Sequence, residues 1–190
     1  LDQIESARFE VALSLSADPI EYGALWERFL IERDSTFEQI VRLDPPTFVE
    51  LALDYAHAGL WDEAATLLER VNFDPMASYA LGWVLDQAGR TEVAVSAFQR
   101  AASLSSDYCF PNRLEDVIVL EAAQRARPGD ARAQYYLGNF WYAHRRYDEA
   151  IACWERAAEL DPVFATVQRN LGLAYFNKQH DSPRALACFE

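Results

Sequence analysis

The sequence predicts an all-α fold, with antiparallel helix pairs stacked into a right-handed superhelix. Three observations predict it. Hydrophobic residues make up 51% of the 190 residues, and 30 Ala stand against only 7 Gly. That balance favours a packed helical protein over a turn-rich β fold or a disordered tail. Aromatic and aliphatic residues recur at helical spacing along most of the chain. The pair Leu137-Gly138 returns as Leu171-Gly172, 34 residues later, and a fixed period of that length marks a repeat architecture.

The elements follow in order. Residues 1–42 read as degenerate helical repeats. A short amphipathic helix carries Ile4, Ala7, Phe9, Val11, Ala12 and Leu15, a second runs from Ile20 to Ile31, and a third is suggested by Phe37, Ile40 and Val41. Residues 43–106 hold two repeat units. The first has Leu51, Ala52, Tyr55, Gly59, Ala64 and Leu68; the second has Leu81, Gly82, Ala94, Phe98 and Ala101. The step from Leu81 to Leu137 is 56, one repeat plus 22 extra residues. Those extra residues, 107–128, read as a loop and one helix from about Arg113 to Ala126, with Tyr108 and Phe110 expected to fill the space of a missing first helix. Residues 129–190 hold two further units. The last breaks off early and fits the register only with one residue inserted near Asp181.

Helix starts are punctuated by acids. Asp-Pro occurs at Asp18, Asp44, Asp74 and Asp161, and Asp130 and Asp181 stand in similar places. An aspartate accepts from the free N–H groups of a first turn, where proline loses nothing by lacking a donor. Capping is therefore the expected role of these acids.

The shared positions resemble the tetratricopeptide repeat, a helix–turn–helix unit of the same period. Leu137, Gly138, Trp141, Ala150, Trp154, Ala157 and Pro162 match the family pattern; Leu171, Gly172, Tyr175, Ala185 and Phe189 match it until the chain stops. The resemblance covers roughly residues 43–106 and 129–190. Small residues such as Gly138 and Ala150 let two helices approach closely, and large ones such as Trp141 and Trp154 fill the space to the next pair. One pair cannot bury its apolar stripe alone, so units must stack. The run Tyr108 to Glu115, the lone helix and the two closing units also resemble the helical portion of large bacterial multidomain proteins. Those carry a β-rich domain of unknown function loosely linked to carbohydrate metabolism, which implies that any catalysis lies outside this chain.

Charge narrows the function. The net charge is -13, from 30 acidic and 17 basic residues. Residues 1–95 carry -12 of it (18 acidic, 6 basic) and residues 96–190 only -1 (12 acidic, 11 basic). Such an acid surface repels nucleic acid and anionic membrane, so neither is an expected partner. No apolar run is long enough to cross a bilayer. No secretory signal opens the chain, which is expected to be a piece of a longer, cytoplasmic protein. Cys109, Cys153 and Cys188 form no CxxC or Cys/His pattern, so reduced thiols without a metal are expected. His57, His144 and His180 lack ligand partners at helical spacing. Asp62-Glu63 and Asp148-Glu149 sit at helix starts, where negative charge offsets the helix dipole. No nucleophile motif, phosphate loop or dinucleotide motif appears, so no catalytic residue and no cofactor is expected.

A binding role is better supported. The first helices of stacked pairs line a concave groove in this family. The alignment puts Tyr79, Trp83 and Gln87 there, then Arg132, Tyr135, Asn139, Tyr142 and Ala143, then Thr166, Arg169, Asn170 and Asn177. Amide, aromatic and guanidinium groups suit an extended peptide. Asn139 and Asn170 also stand where family members that grip a C-terminal carboxylate place two asparagines, but Tyr135 replaces the lysine of that clamp. The alternative for both is hydrogen bonding within the stack. Two readings follow. The chain is a non-catalytic scaffold binding a protein segment in its groove, or it is an architectural arm of a larger carbohydrate-related enzyme, packing on its own catalytic domain or mediating dimerisation. An open-ended stack also allows a homo-oligomer.

Overall fold

The computed structural model describes residues 2–33 and 36–189. It is helical throughout, and no strand occurs among the described residues. The chain divides into two compact units, Leu1–Phe73 and Asp74–Glu190.

The first unit contains α1 (Asp2–Ala17), α2 (Tyr22–Glu32), α3 (Thr36–Leu43), α4 (Pro45–His57) and α5 (Trp61–Arg70). Its core is aromatic. Phe37 stacks on Phe29 at 4.8 Å between ring centroids, meets Trp26 at 5.2 Å and meets Phe48 edge-on at 5.2 Å. One short helix thus ties α2 to α4. The expected helix at the N-terminus is present, but its apolar stripe is not buried. Ile4, Phe9 and Leu13 are exposed, and only Val11 and Leu15 are half-buried. The reason is angular: Phe9 and Leu13 project from the side of the helix opposite Val11 and Leu15, so one packing partner cannot cover both.

The second unit contains α6 (Pro75–Gln87), α7 (Thr91–Ser103), α8 (Leu114–Ala126), α9 (Ala131–Ala143), α10 (Tyr147–Leu160), α11 (Ala165–Ala174) and α12 (Ser182–Ala187), with a π-helical turn at Tyr175–Gln179. Helix pairs α6–α7, α9–α10 and α11–α12 form hairpins, and α8 packs on α6 and α9.

Each hairpin of this unit is closed by a glycine facing an aromatic ring. A Cβ placed on Gly82 would lie 2.4 Å from Phe98, on Gly138 2.3 Å from Trp154, and on Gly172 2.4 Å from Phe189. Glycine at these places lets the ring approach the partner helix backbone closely. The α4–α5 hairpin of the first unit carries Ala52 and Leu68 at the same spacing, both fully buried. A smaller large residue leaves room for a methyl group opposite.

The turns share one conformation. Gly59, Gly89, Arg145 and His180 have φ of 80, 77, 61 and 56°, the left-handed region that ends many helices. The next N–H reaches back five residues: Leu60 to Tyr55 O at 2.9 Å, Arg90 to Leu85 O at 2.8 Å, and Arg146 to Trp141 O at 2.9 Å. In the last hairpin the bond runs from Asp181 to Tyr175 O at 3.0 Å, one residue further. The π-helical turn absorbs the residue that the alignment required as an insertion.

Four of the six expected aspartate caps are formed. Asp44, Asp74, Asp130 and Asp181 accept from the N–H of Thr47, Ala77, Ala133 and Arg184, respectively. Asp18 instead accepts from Ile20 N in a turn, and Glu21 caps α2. Asp161 ends α10, and its carbonyl accepts from Phe164 N; α11 starts only at Ala165. The expected role of Tyr108 and Phe110 is also corrected. Both are exposed, at 94% and 73%, while Cys109 and Pro111 are buried. Tyr108 stands in a tight turn with φ 58°, in the left-handed region, and the chain there turns Cys109 and Pro111 inward instead.

Candidate functional site

The first helices of two successive hairpins, α9 and α11, stand beside each other with α10 between them in sequence. Between them lies an open cavity of about 220 Å³, lined by Asn139, Tyr142, Ala143, Trp154, Asn170 and Leu173. Four of these, Asn139, Tyr142, Ala143 and Asn170, are residues that the sequence assigns to the groove.

The floor is a fixed hydrogen-bond chain. The Trp154 indole N–H donates to Tyr135 O and to Asn139 Oδ1, both at 3.2 Å. Asn139 Oδ1 also accepts from Asn170 Nδ2 at 3.3 Å. Hydrogen bonding between the two asparagines within the stack is therefore real, yet it uses only one side of each amide. The wall is aromatic: Tyr142 packs on Trp154 at 5.3 Å and on Tyr147 at 5.1 Å. The Lys178 ammonium lies 4.3 Å from the Tyr147 ring centroid and 5.9 Å from that of Tyr142. The π-helical turn brings it there. A cation over these ring faces is electrostatically favoured.

The remaining assigned residues fall elsewhere. Tyr79 is fully buried and does not line a groove: its ring lies between Phe98 and Tyr136, and its hydroxyl donates to Asp130 at 3.1 Å. Tyr135 is also packed away, against Tyr136 and Phe164. Arg132 is held by Ser106 Oγ at 2.9 Å and by the Phe164 ring at 4.1 Å. Trp83 is half-buried on α6, while Arg169 and Asn177 are exposed on α11 and the π-helical turn. None of these lines the cavity. Sequence reasoning missed Trp154, Leu173, Tyr147 and Lys178 as site residues. Leu173 stands one period after Asn139, so the register itself marks it. Lys178 follows from the π-helical turn, which no sequence signal beyond the one-residue insertion announces.

Beneath the surface a second polar network stiffens the same unit. Asp130 is 2% exposed; it caps α9, accepts from Tyr79 and lies 3.6 Å from Arg127. Asp116 accepts from the N–H groups of Asn112 and Arg113 and so pins the loop before α8. Burial raises the carboxyl pKa of Asp74, Asp116 and Asp130, with the backbone donors opposing it in each case. Burial, then the nearby Asp74 charge, pushes the Cys109 thiol up to about 12, which keeps it in the protonated, less reactive form at neutral pH. Among the described residues no group of three His, Cys, Asp or Glu is placed to hold a metal ion, and no helix is long and apolar enough to cross a membrane.

Glycine–aromatic hairpins of one period, stacked first helix on first helix, define the class: a helical-hairpin repeat protein. Models of the tetratricopeptide repeat match residues 49–108 and 119–152, and a further model of the same repeat matches residues 138–179. The chain carries tetratricopeptide repeats. It is also similar to solved structures of MamA. One shares 19% identity over all of this chain and 90% of that chain, with a TM-score of 0.38. MamA from Desulfovibrio magneticus RS-1 (residues 41 to the end) shares 22% over 75% of this chain and 89% of that chain, with a TM-score of 0.36.

Proposed function

We propose that this chain is a non-catalytic scaffold that holds a segment of another protein against the first helices α9 and α11. Tetratricopeptide repeats are in general protein-interaction modules, which sets the class. The observation that carries the finer reading is the cavity between α9 and α11. It joins an apolar wall of Tyr142, Trp154 and Leu173 to two half-used amides. A few placed polar groups on an apolar wall are what recognition of an extended segment uses.

Leu173 lines this cavity and is 41% exposed, so changing it leaves the packed core intact. Selection from a displayed library of random 12-residue peptides on the wild-type chain supplies the probe. Leu173→Glu, shown folded by circular dichroism, is expected to lose most of the selected clones. Selected clones that bind both chains equally would sink the reading and favour an architectural role.

A further inference from the structure

The cavity has a donor and acceptor pattern that its own chemistry dictates. An indole N–H can only donate. The Asn139 atom that meets Trp154 at 3.2 Å is therefore the carbonyl oxygen, and the Asn170 atom meeting that oxygen at 3.3 Å is the amide nitrogen. Both side chains are thus fixed in orientation. Each then has one polar atom left over. Among the described residues, Asn139 Nδ2 and Asn170 Oδ1 have no protein partner. Two residues that line the cavity thus keep a free donor group, on Asn139, and a free acceptor, on Asn170.

Resting on the groove reading above, we propose that the occupant is an internal stretch of peptide, read through one backbone amide, with an apolar side chain in the cavity and an acidic residue beside it. A peptide unit presents one C=O and one N–H, which complement Asn139 Nδ2 and Asn170 Oδ1. A free C-terminal carboxylate presents acceptors alone and would set negative oxygen against Asn170 Oδ1. The Tyr142, Trp154 and Leu173 wall takes the apolar side chain. The acidic neighbour is called for by Lys178, the chain's only lysine, which is exposed at the rim and forms no ion pair among the described residues. Residues 96–190 are nearly balanced in charge, with 12 acidic and 11 basic residues, so an exposed ammonium without an ion pair there is free to attract an anion.

Two small probes separate the possibilities by NMR on the full chain. Acetyl-aspartyl-leucine N-methylamide and acetyl-aspartyl-leucine with a free carboxylate differ only at the end that the asparagines read. The Asn139 side-chain amide and the Trp154 indole N–H report binding. The methylamide is expected to bind about tenfold tighter, the worth of roughly one hydrogen bond. Asn139→Asp keeps an oxygen for Trp154 and Asn170 but turns the outward donor into an acceptor. It should abolish the methylamide's advantage with little change in Tm. Lys178→Gln should weaken both probes severalfold. Equal or tighter binding of the free acid overturns the inference and leaves the groove reading standing. If neither probe moves the cavity signals at millimolar concentration, both fall.

Discussion

The two units solve the same packing problem with different materials. In Leu1–Phe73 the hairpin α4–α5 pairs Ala52 with Leu68, and an all-carbon cluster of Phe29, Phe37 and Phe48 around Trp26 fills the rest. In Asp74–Glu190 each hairpin pairs glycine with a ring, and charged groups are buried beside them: Asp116 at 5% and Asp130 at 2% exposure. The lesson is that the repeat conserves a summed volume across the helix pair, not a residue. Where one side shrinks by a methyl group the other grows to a ring. The second unit also gains something the first lacks. Its large residue at the Trp154 position has a polar atom, and that atom organises the asparagines of the candidate site.

The sharpest way to break this comparison is to add the methyl group in the wrong hairpin. In Gly138→Ala the new Cβ would sit 2.3 Å from Trp154 Cδ1 and Nε1, and that ring is held in place by Tyr135 O and Asn139. Overpacking against a fixed ring costs about 3 kcal/mol. The opposite change, Ala52→Gly in the first unit, removes a buried methyl group and loosens a helix interior, for about 1–2 kcal/mol. Adding Leu68→Phe to Ala52→Gly should restore part of that loss. Urea denaturation followed by circular dichroism measures all three, and a double variant weaker than Ala52→Gly alone would refute the summed-volume rule.

The second prediction separates the units by pH. Asp74, Asp116 and Asp130 all lie in the second unit, and burial raises all three carboxyl pKa values. The folded state therefore holds these protons more tightly than the unfolded chain, whose carboxyls titrate near 4. Stability from this source is fully present below about pH 4 and is lost as pH rises through the folded pKa values. The urea midpoint is expected to rise on acidification from neutral pH toward about pH 4. Asp130→Asn keeps acceptors for Ala133 N–H and the Tyr79 hydroxyl but removes one titrating group. Its midpoint should depend less on pH; a slope equal to that of the wild type would show that Asp130 carries none of the effect.

Much of this was legible in the sequence for a physical reason. Glycine opposite a ring leaves a fixed spacing: Gly82 to Phe98 and Gly138 to Trp154 are both 16 residues apart. Volume matching of that kind survives as a pattern of letters, and so do the aspartate caps. What was not legible depends on which way a side chain turns once the backbone is set. Tyr79 and Asn139 stand at groove places four residues apart in the repeat frame, but Tyr79 is enclosed by Phe98 and Tyr136 while Asn139 opens to the cavity. Tyr108 and Phe110 carry the hydrophobicity of core residues, yet the loop turns at Tyr108, with φ 58°, and buries Cys109 and Pro111 instead. Lys178 reaches the rim only because five residues adopt a π-helical turn.

The turns give the smallest effect and the finest test. Four hairpins end on a left-handed residue, two of them with glycine and two without. Arg145 holds φ at 61° and His180 at 56°, where a Cβ crowds the following carbonyl. Gly89, at φ 77°, has no such cost. The Arg145 side chain makes no hydrogen bond or ion pair among the described residues, so replacing it forfeits no contact. Arg145→Gly is therefore expected to stabilise the chain by about 0.5–1 kcal/mol, the strain relieved exceeding the backbone entropy that glycine adds to the unfolded state. Gly89→Ala should lose about 1 kcal/mol by the same mechanism in reverse. The signs are opposite although both residues do one job, because the turn geometry, and not the residue, is what the repeat requires. A destabilised Arg145→Gly would mean that entropy outweighs strain at this turn, and that arginine stands there at no conformational cost.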